Sequence, residues 1–173
     1  HLWSADEVDT LARCHMPADV LRIYKAVRFP VMRADMGRIL ILYLHGGLYA
    51  DLDVLPIRER FHQRSLGIGR LRARPPVEKW EWELELVVAT AGSPILMDLL
   101  KYMVKEVDRQ TYETGFYVTA RCRYIYQTTG PSSMTRFLKD PLREAVHQQF
   151  VFFELNRPEI AKDFTYWGKR SYD

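Results

Sequence analysis

An apolar run with two carboxylates one residue apart, pinned between a Gly-Gly pair and a proline, most limits what this chain can fold into. It reads Gly46-Gly47-Leu48-Tyr49-Ala50-Asp51-Leu52-Asp53-Val54-Leu55-Pro56. Taken as one strand over Leu48–Val54, it puts side chains i and i+2 on one face. Asp51 and Asp53 then project together, Tyr49 shares their phase, and Leu52 and Val54 enter the core. Two carboxylates held that close repel each other unless a cation sits between them. Hard oxygen ligands favour Mg²⁺ or Mn²⁺ over zinc, and such ions keep positions for waters and phosphate oxygens. The run therefore points to a metal site that grips a diphosphate.

The segment upstream, Arg33–Leu44, reads as a helix. Pro30 marks its approach, and His45-Gly46-Gly47 ends it with residues suited to a left-handed cap. Met32, Met36, Ile39, Leu40 and Tyr43 recur at three- and four-residue spacings and give it a buried face. Asp35 and Arg38, three apart, are neighbours on one side of that helix. As a bare pattern this is also what a surface ion pair looks like, just as Tyr49 also reads as ordinary packing.

The block from Arg33 to Pro56 resembles the DxD sugar-binding region of glycosyltransferase family 32. That family includes Golgi mannosyltransferases, capsular polysaccharide transferases and clostridial toxin glucosyltransferase domains. Its pattern is Asp-x-x-Arg on a helix, then Gly-Gly-x-Tyr-x-Asp-x-Asp, matched here by Asp35, Arg38, Gly46, Gly47, Tyr49, Asp51 and Asp53. Weaker likenesses flank it. Leu2-Trp3-Ser4-Ala5-Asp6-Glu7 is similar to an early "lWtdedid" segment. Val87–Pro94 is similar to a later strand and turn. Thr128-Thr129-Gly130-Pro131 resembles a "tGP" turn near the acceptor side.

The resemblance implies an α/β architecture, the nucleotide-diphosphosugar transferase (GT-A, Rossmann-like) fold. It implies one domain over residues 1–173, lacking the family's first strand. It implies a retaining transfer of a hexose from UDP-glucose, UDP-galactose or GDP-mannose to a glycan, lipid-linked or protein acceptor, with Mn²⁺ or Mg²⁺ on the diphosphate. Asp53 is then the direct metal ligand. Asp51 holds the ion through water or contacts the ribose. Asp35 and Arg38 clamp the donor sugar, with Tyr49, Gly46 and Gly47 beside them. The family's late His or Asn ligand has no counterpart in the terminal Phe164–Asp173 segment. The implied location is the Golgi lumen in a eukaryote, and the cytoplasm or inner membrane face in a bacterium.

Composition bounds the rest. With 173 residues, 47% of them hydrophobic, the chain has enough apolar material for one well-buried domain. No apolar stretch reaches the length of a membrane span. Cys14 and Cys122 read as free thiols. Arg58, Arg60, Arg64, Arg70, Arg72 and Arg74 crowd one segment, yet net charge is only +3 and no nucleic-acid module is present. They read as a solvated basic face, with no nucleic-acid partner. The alternation Trp80–Leu86 reads as a half-buried strand rather than a sugar platform. The remaining aromatics, Tyr112, Phe116, Tyr117, Tyr124 and Tyr126, carry no pattern beyond packing. His45, His62 and His147 lack metal-ligand spacing.

A coarse pass places a helix at Ala5–Arg13, an extended piece at Val20–Tyr24 and a helical turn at Arg58–Phe61. Strands follow at Ser65–Arg74 and Leu84–Thr90. Helices at Pro94–Asp108, Met134–Leu138 and Leu142–Gln148 precede a strand at Phe150–Leu155. Alternating helices and strands imply α/β layers. Two other functions stay open: a non-catalytic relative that binds a sugar nucleotide or protein, and a haloacid-dehalogenase-type phosphohydrolase built on the same Asp-x-Asp.

Overall fold

The computed structural model describes residues 1–52, 54–56, 66–72, 80–114, 121–140, 150–154 and 164–166. Three helices open the chain: α1 (Ala5–His15), α2 (Ala18–Ala26) and α3 (Pro30–His45). Ser4 starts α1 with a reciprocal cap. Its backbone amide donates to the Glu7 carboxylate at 2.7 Å and its hydroxyl accepts from the Glu7 amide at 3.3 Å. The Tyr24 hydroxyl donates to Asp9 Oδ1 at 2.6 Å and ties α2 to α1.

The extended piece expected at Val20–Tyr24 is instead the middle of α2. Val20, Ile23 and Tyr24 are buried at spacings of three and four, so one helical face packs inward. Burial of that face outweighs the strand preference of its β-branched and aromatic residues.

Helix α3 begins with Pro30 at its first turn, where a missing N–H costs nothing. Met32, Met36, Ile39 and Leu40 are fully buried, as their spacing requires. Gly46 caps the helix at φ 65° and its amide reaches Leu42 O at 2.9 Å. A neighbouring turn closes over it, since the Gly92 amide donates to Tyr43 O at 2.6 Å.

The strands are β1 (Gly47–Ala50), β2 (Val54–Pro56), β3 (Leu66–Arg72), β4 (Trp80–Ala89), β5 (Phe150–Glu154) and β6 (Phe164–Tyr166). Four of them form a mixed sheet in the order β1-β4-β3-β5, with β3 and β5 parallel and the other pairs antiparallel. Strand β2 pairs with β6 in a separate two-stranded sheet. Helices α4 (Pro94–Thr114), α5 (Arg121–Thr128) and α6 (Pro131–Lys139) complete the described elements.

Helix α3 packs on α4, and α6 packs on β4. Leu96, Leu99, Leu100 and Met103 of α4 meet Phe137 and Leu138 of α6 and Val87 and Ala89 of β4 in one apolar core. Arg136 Nη2 donates to the buried Glu106 carboxylate at 2.8 Å and pins α6 to α4. The α/β expectation holds. Helix α5 has no counterpart in the sequence reading.

One expectation fails with consequences for the site. The run from Leu48 to Val54 is not a single strand. Strand β1 stops at Ala50, Asp51 and Leu52 leave the sheet, and β2 resumes at Val54 against a different partner. Leu52 is 84% exposed rather than in the core. Period-two reasoning does not carry across that break, so it no longer aligns Asp51 with Asp53.

Asp53 itself lies outside the described residues, as do the expected helices at Arg58–Phe61 and Leu142–Gln148. The same holds for Arg58, Arg60, Arg64, Arg74, His62, His147, Phe116, Tyr117 and the segment from Trp167 onward.

Candidate active site

Helix α3 and strand β1 wall a cleft of about 830 Å³ that also reaches Trp3 and His45. Its chemistry converges on Arg38. This side chain rises from the face of α3 that meets β1, and only 11% of it is exposed. Arg38 Nη2 lies 3.1 Å from Asp35 Oδ1, and Nη1 lies 3.2 Å from Asp51 Oδ1. Nη1 also donates to the Leu84 carbonyl at 3.1 Å. The guanidinium lies over the Tyr49 ring, 4.8 Å from its centroid, in cation–π range. The Tyr49 hydroxyl closes the arrangement by donating to Asp51 Oδ1 at 2.7 Å.

Asp35 stands behind Arg38. It is 7% exposed and is absent from the described cleft wall. Its Oδ1 faces Arg38 and its Oδ2 accepts from the Thr129 hydroxyl at 2.7 Å. Asp35 and Arg38 are therefore a buried pair, not a solvated ion pair on a helix surface. Removing one member of such a pair costs about 3–5 kcal/mol, because the other is left charged in a dry place.

Burial pushes the Asp35 carboxyl up to about 6, against the pull of Arg38 and the Thr129 hydrogen bond. Burial likewise raises the Tyr49 phenol, with Arg38 opposing, so the hydroxyl stays a hydrogen-bond donor to Asp51.

The glycines shape the same wall. A Cβ on Gly46 would sit 2.6 Å from the Ala91 amide nitrogen and 3.1 Å from Ala89 O. Gly47, at φ 96°, has open space around it and lines the cleft with bare backbone.

The structure thus brings together six of the residues singled out in the sequence: Asp35, Arg38, Gly46, Gly47, Tyr49 and Asp51. Sequence reasoning missed two supports, the Leu84 carbonyl and the Thr129 hydroxyl. The Thr-Gly-Pro turn stands out as a motif, and its Thr129 meets Asp35 behind the helix, a contact the motif does not announce.

The donor set also bears on a divalent cation. Asp51 supplies a hard oxygen donor on the described wall, while Asp53 lies outside the described residues. Among the described residues, no three His, Cys, Asp or Glu side chains cluster. One carboxylate of this kind suits a Mg²⁺ or Mn²⁺ ion held largely through water and phosphate oxygens.

Residues 4–69 match a family model described as a glycosyltransferase sugar-binding region containing a DXD motif. This stretch is thus similar to the DXD region of glycosyltransferases. It is 21% identical over 180 residues to a putative glycosyltransferase, HOC1, of Saccharomyces cerevisiae, a match covering 90% of this chain and 45% of the relative. It is 23% identical over 142 residues to an initiation-specific alpha-1,6-mannosyltransferase of Schizosaccharomyces pombe, covering 71% of this chain and 35% of the relative. The chain thus spans less than half the length of either curated relative. Among solved structures, PaToxG Glycosyltransferase is similar over 76% of this chain and 47% of its own, with 20% identity and a TM-score of 0.48. Every described residue lining the cleft lies between His1 and Leu52, and all but the first three fall within the matched region. The two supports, Leu84 and Thr129, lie beyond it.

Proposed function

We propose that this chain carries the donor site of a retaining hexosyltransferase on a GT-A-type α/β framework. The donor is a nucleotide sugar, UDP- or GDP-linked, and the acceptor a glycan, a lipid-linked sugar or a protein side chain. The observation that supports this most is the convergence of Arg38, Tyr49 and Asp51 on one cleft wall, with Asp35 bracing Arg38 from behind.

Cleaving a sugar–phosphate bond leaves a nucleoside diphosphate whose negative charge grows in the transition state. Fixed positive charge aimed at that leaving group lowers the barrier. Arg38 is suited to the task, since its planar guanidinium stays charged and is held at the cleft wall by Asp35, Asp51 and the Leu84 carbonyl. Tyr49 and Asp51 keep that plane from rotating. Gly47 lets the donor approach the backbone without meeting a side chain, and Gly46 lets the turn pack against Ala89 and Ala91. A Mn²⁺ or Mg²⁺ ion, held by Asp51 and Asp53, would supply Lewis-acid stabilisation of the diphosphate. Retention of configuration fits front-face substitution, and no protein nucleophile or base is assigned.

The test is a panel of UDP-glucose, UDP-galactose and GDP-mannose with and without Mn²⁺, read by thermal stabilisation and donor hydrolysis. One donor should raise the melting temperature in a metal-dependent way and be hydrolysed. Asp51→Ala and Asp53→Ala should each abolish both effects. Stabilisation without turnover, under any divalent metal, would leave a sugar-nucleotide-binding relative instead of an enzyme.

A further inference from the structure

The structure assigns Thr129, in the turn between α5 and α6, as a positioning residue for the Arg38 clamp, acting through Asp35; this rests on the donor-site reading above.

Thr129 is fully buried and 94 residues from Asp35 in sequence, yet its hydroxyl donates to Asp35 Oδ2 at 2.7 Å. Asp35 Oδ1 in turn faces Arg38 Nη2 at 3.1 Å, and Arg38 Nη1 reaches Asp51 at 3.2 Å on the cleft wall. A relay of three contacts thus runs from a turn with no place in the cleft to a guanidinium that lines it. Freed of Thr129, the carboxylate could rotate about its Cβ–Cγ bond, and the fork of Arg38 would lose its fixed plane.

The turn itself is built to hold that hydroxyl still. The amides of Thr129 and Gly130 both donate to Ile125 O at 3.0 Å. A Cβ on Gly130 would sit 2.9 Å from Tyr126 Cα, so the backbone packs there without room for a side chain. Its neighbour Thr128 is equally buried but donates to the Tyr124 carbonyl at 2.7 Å. Of the two adjacent threonines, one closes its own helix and the other reaches across to α3.

Thr129→Val keeps the volume and removes the donor; Thr129→Ser keeps the donor. With the donor that stabilises the wild type, Val should lower hydrolysis kcat/KM about fivefold or more, chiefly through kcat and with KM within about twofold, because Arg38 is assigned to the charge that grows in the transition state. Ser should restore kcat. An unchanged kcat in a folded Val variant would overturn the assignment, as would a Ser variant as impaired as Val.

A second readout needs no donor. In a urea-unfolding double-mutant cycle of Thr129→Val with Arg38→Met, the two effects should be coupled by about threefold or more in the unfolding constant, although the residues do not touch. Additive effects would overturn the relay. If the wild type binds no donor of the panel, the transferase reading falls and this cycle alone decides whether Thr129 positions Arg38.

Discussion

Arg38 carries four contacts at once, and a lysine cannot repeat them. Its single ammonium has no plane to lie on Tyr49 and cannot reach Asp35, Asp51 and the Leu84 carbonyl together. Arg38→Lys should lower donor-hydrolysis kcat/KM by at least about tenfold while the protein stays folded by circular dichroism. Equal activity in the two proteins would remove Arg38 from the donor site.

Asp35 gives a prediction in pH. Its folded pKa, about 6, lies above the ordinary 3.8 of a free carboxyl. A raised acid favours the fold below about pH 4, where both states are protonated. That advantage is lost as pH rises through about 6, because the unfolded chain sheds the proton more readily. Asn at this position keeps an acceptor for Thr129 and does not titrate. The stability of wild type relative to Asp35→Asn should therefore fall by up to roughly 3 kcal/mol between pH 4 and pH 6.5, measured by urea unfolding. A flat difference across that range would contradict the buried, proton-holding carboxyl.

At the scale of elements, the α3–β1 junction rests on two glycines with different reasons for being there. Gly46 combines φ 65° with backbone atoms 2.6 and 3.1 Å from any added Cβ. Gly47 has φ 96° and open space. Gly46→Ala should cost more than about 3 kcal/mol, from strain and overlap together. Gly47→Ala should cost only about 1–2 kcal/mol, from strain alone. Similar losses, by thermal or urea melts, would mean that the close approach to Ala89 and Ala91 does not constrain the junction.

The same junction separates what the sequence could tell from what it could not. Helix α3 was legible because Met32, Met36, Ile39 and Leu40 repeat at the period of the element they form, a local signal. The break after Ala50 was not legible. Leu48, Leu52 and Val54 alternate just as they would in one straight strand, whereas β2 pairs with β6, more than a hundred residues further on. That choice of partner leaves no mark on the run itself. Helix α2 was misread because Val20, Ile23 and Tyr24 suit a strand by composition and a helix by burial. The residue set of the cleft was readable from an ordered motif. The bond from Thr129 was not, since one hydroxyl meeting one carboxylate across 94 residues has no pattern.

For the whole molecule, helices and sheet share one apolar core, so core damage in different layers should register in one cooperative event. Leu100 of α4 and Phe137 of α6 are 0% and 1% exposed. Leu100→Ala should cost about 2–5 kcal/mol and Phe137→Ala about 3–5 kcal/mol. Both should move a single unfolding transition, followed in parallel by circular dichroism and tryptophan fluorescence. Two separable transitions would show that residues 1–173 do not unfold as one domain.

The brace behind the cleft has a consequence for the order in which the protein is made. The described lining of the cleft lies at residues 1–52, but the Leu84 carbonyl and the Thr129 hydroxyl that set its central cation emerge only later in synthesis. At residue 52 the lining has been made but β1 still lacks its partner β4, and the last fixing contact arrives some eighty residues afterwards. Competence is thereby deferred to the moment when α5 and α6 dock, and a chain halted before Thr129 holds the outline of the cleft without its calibration.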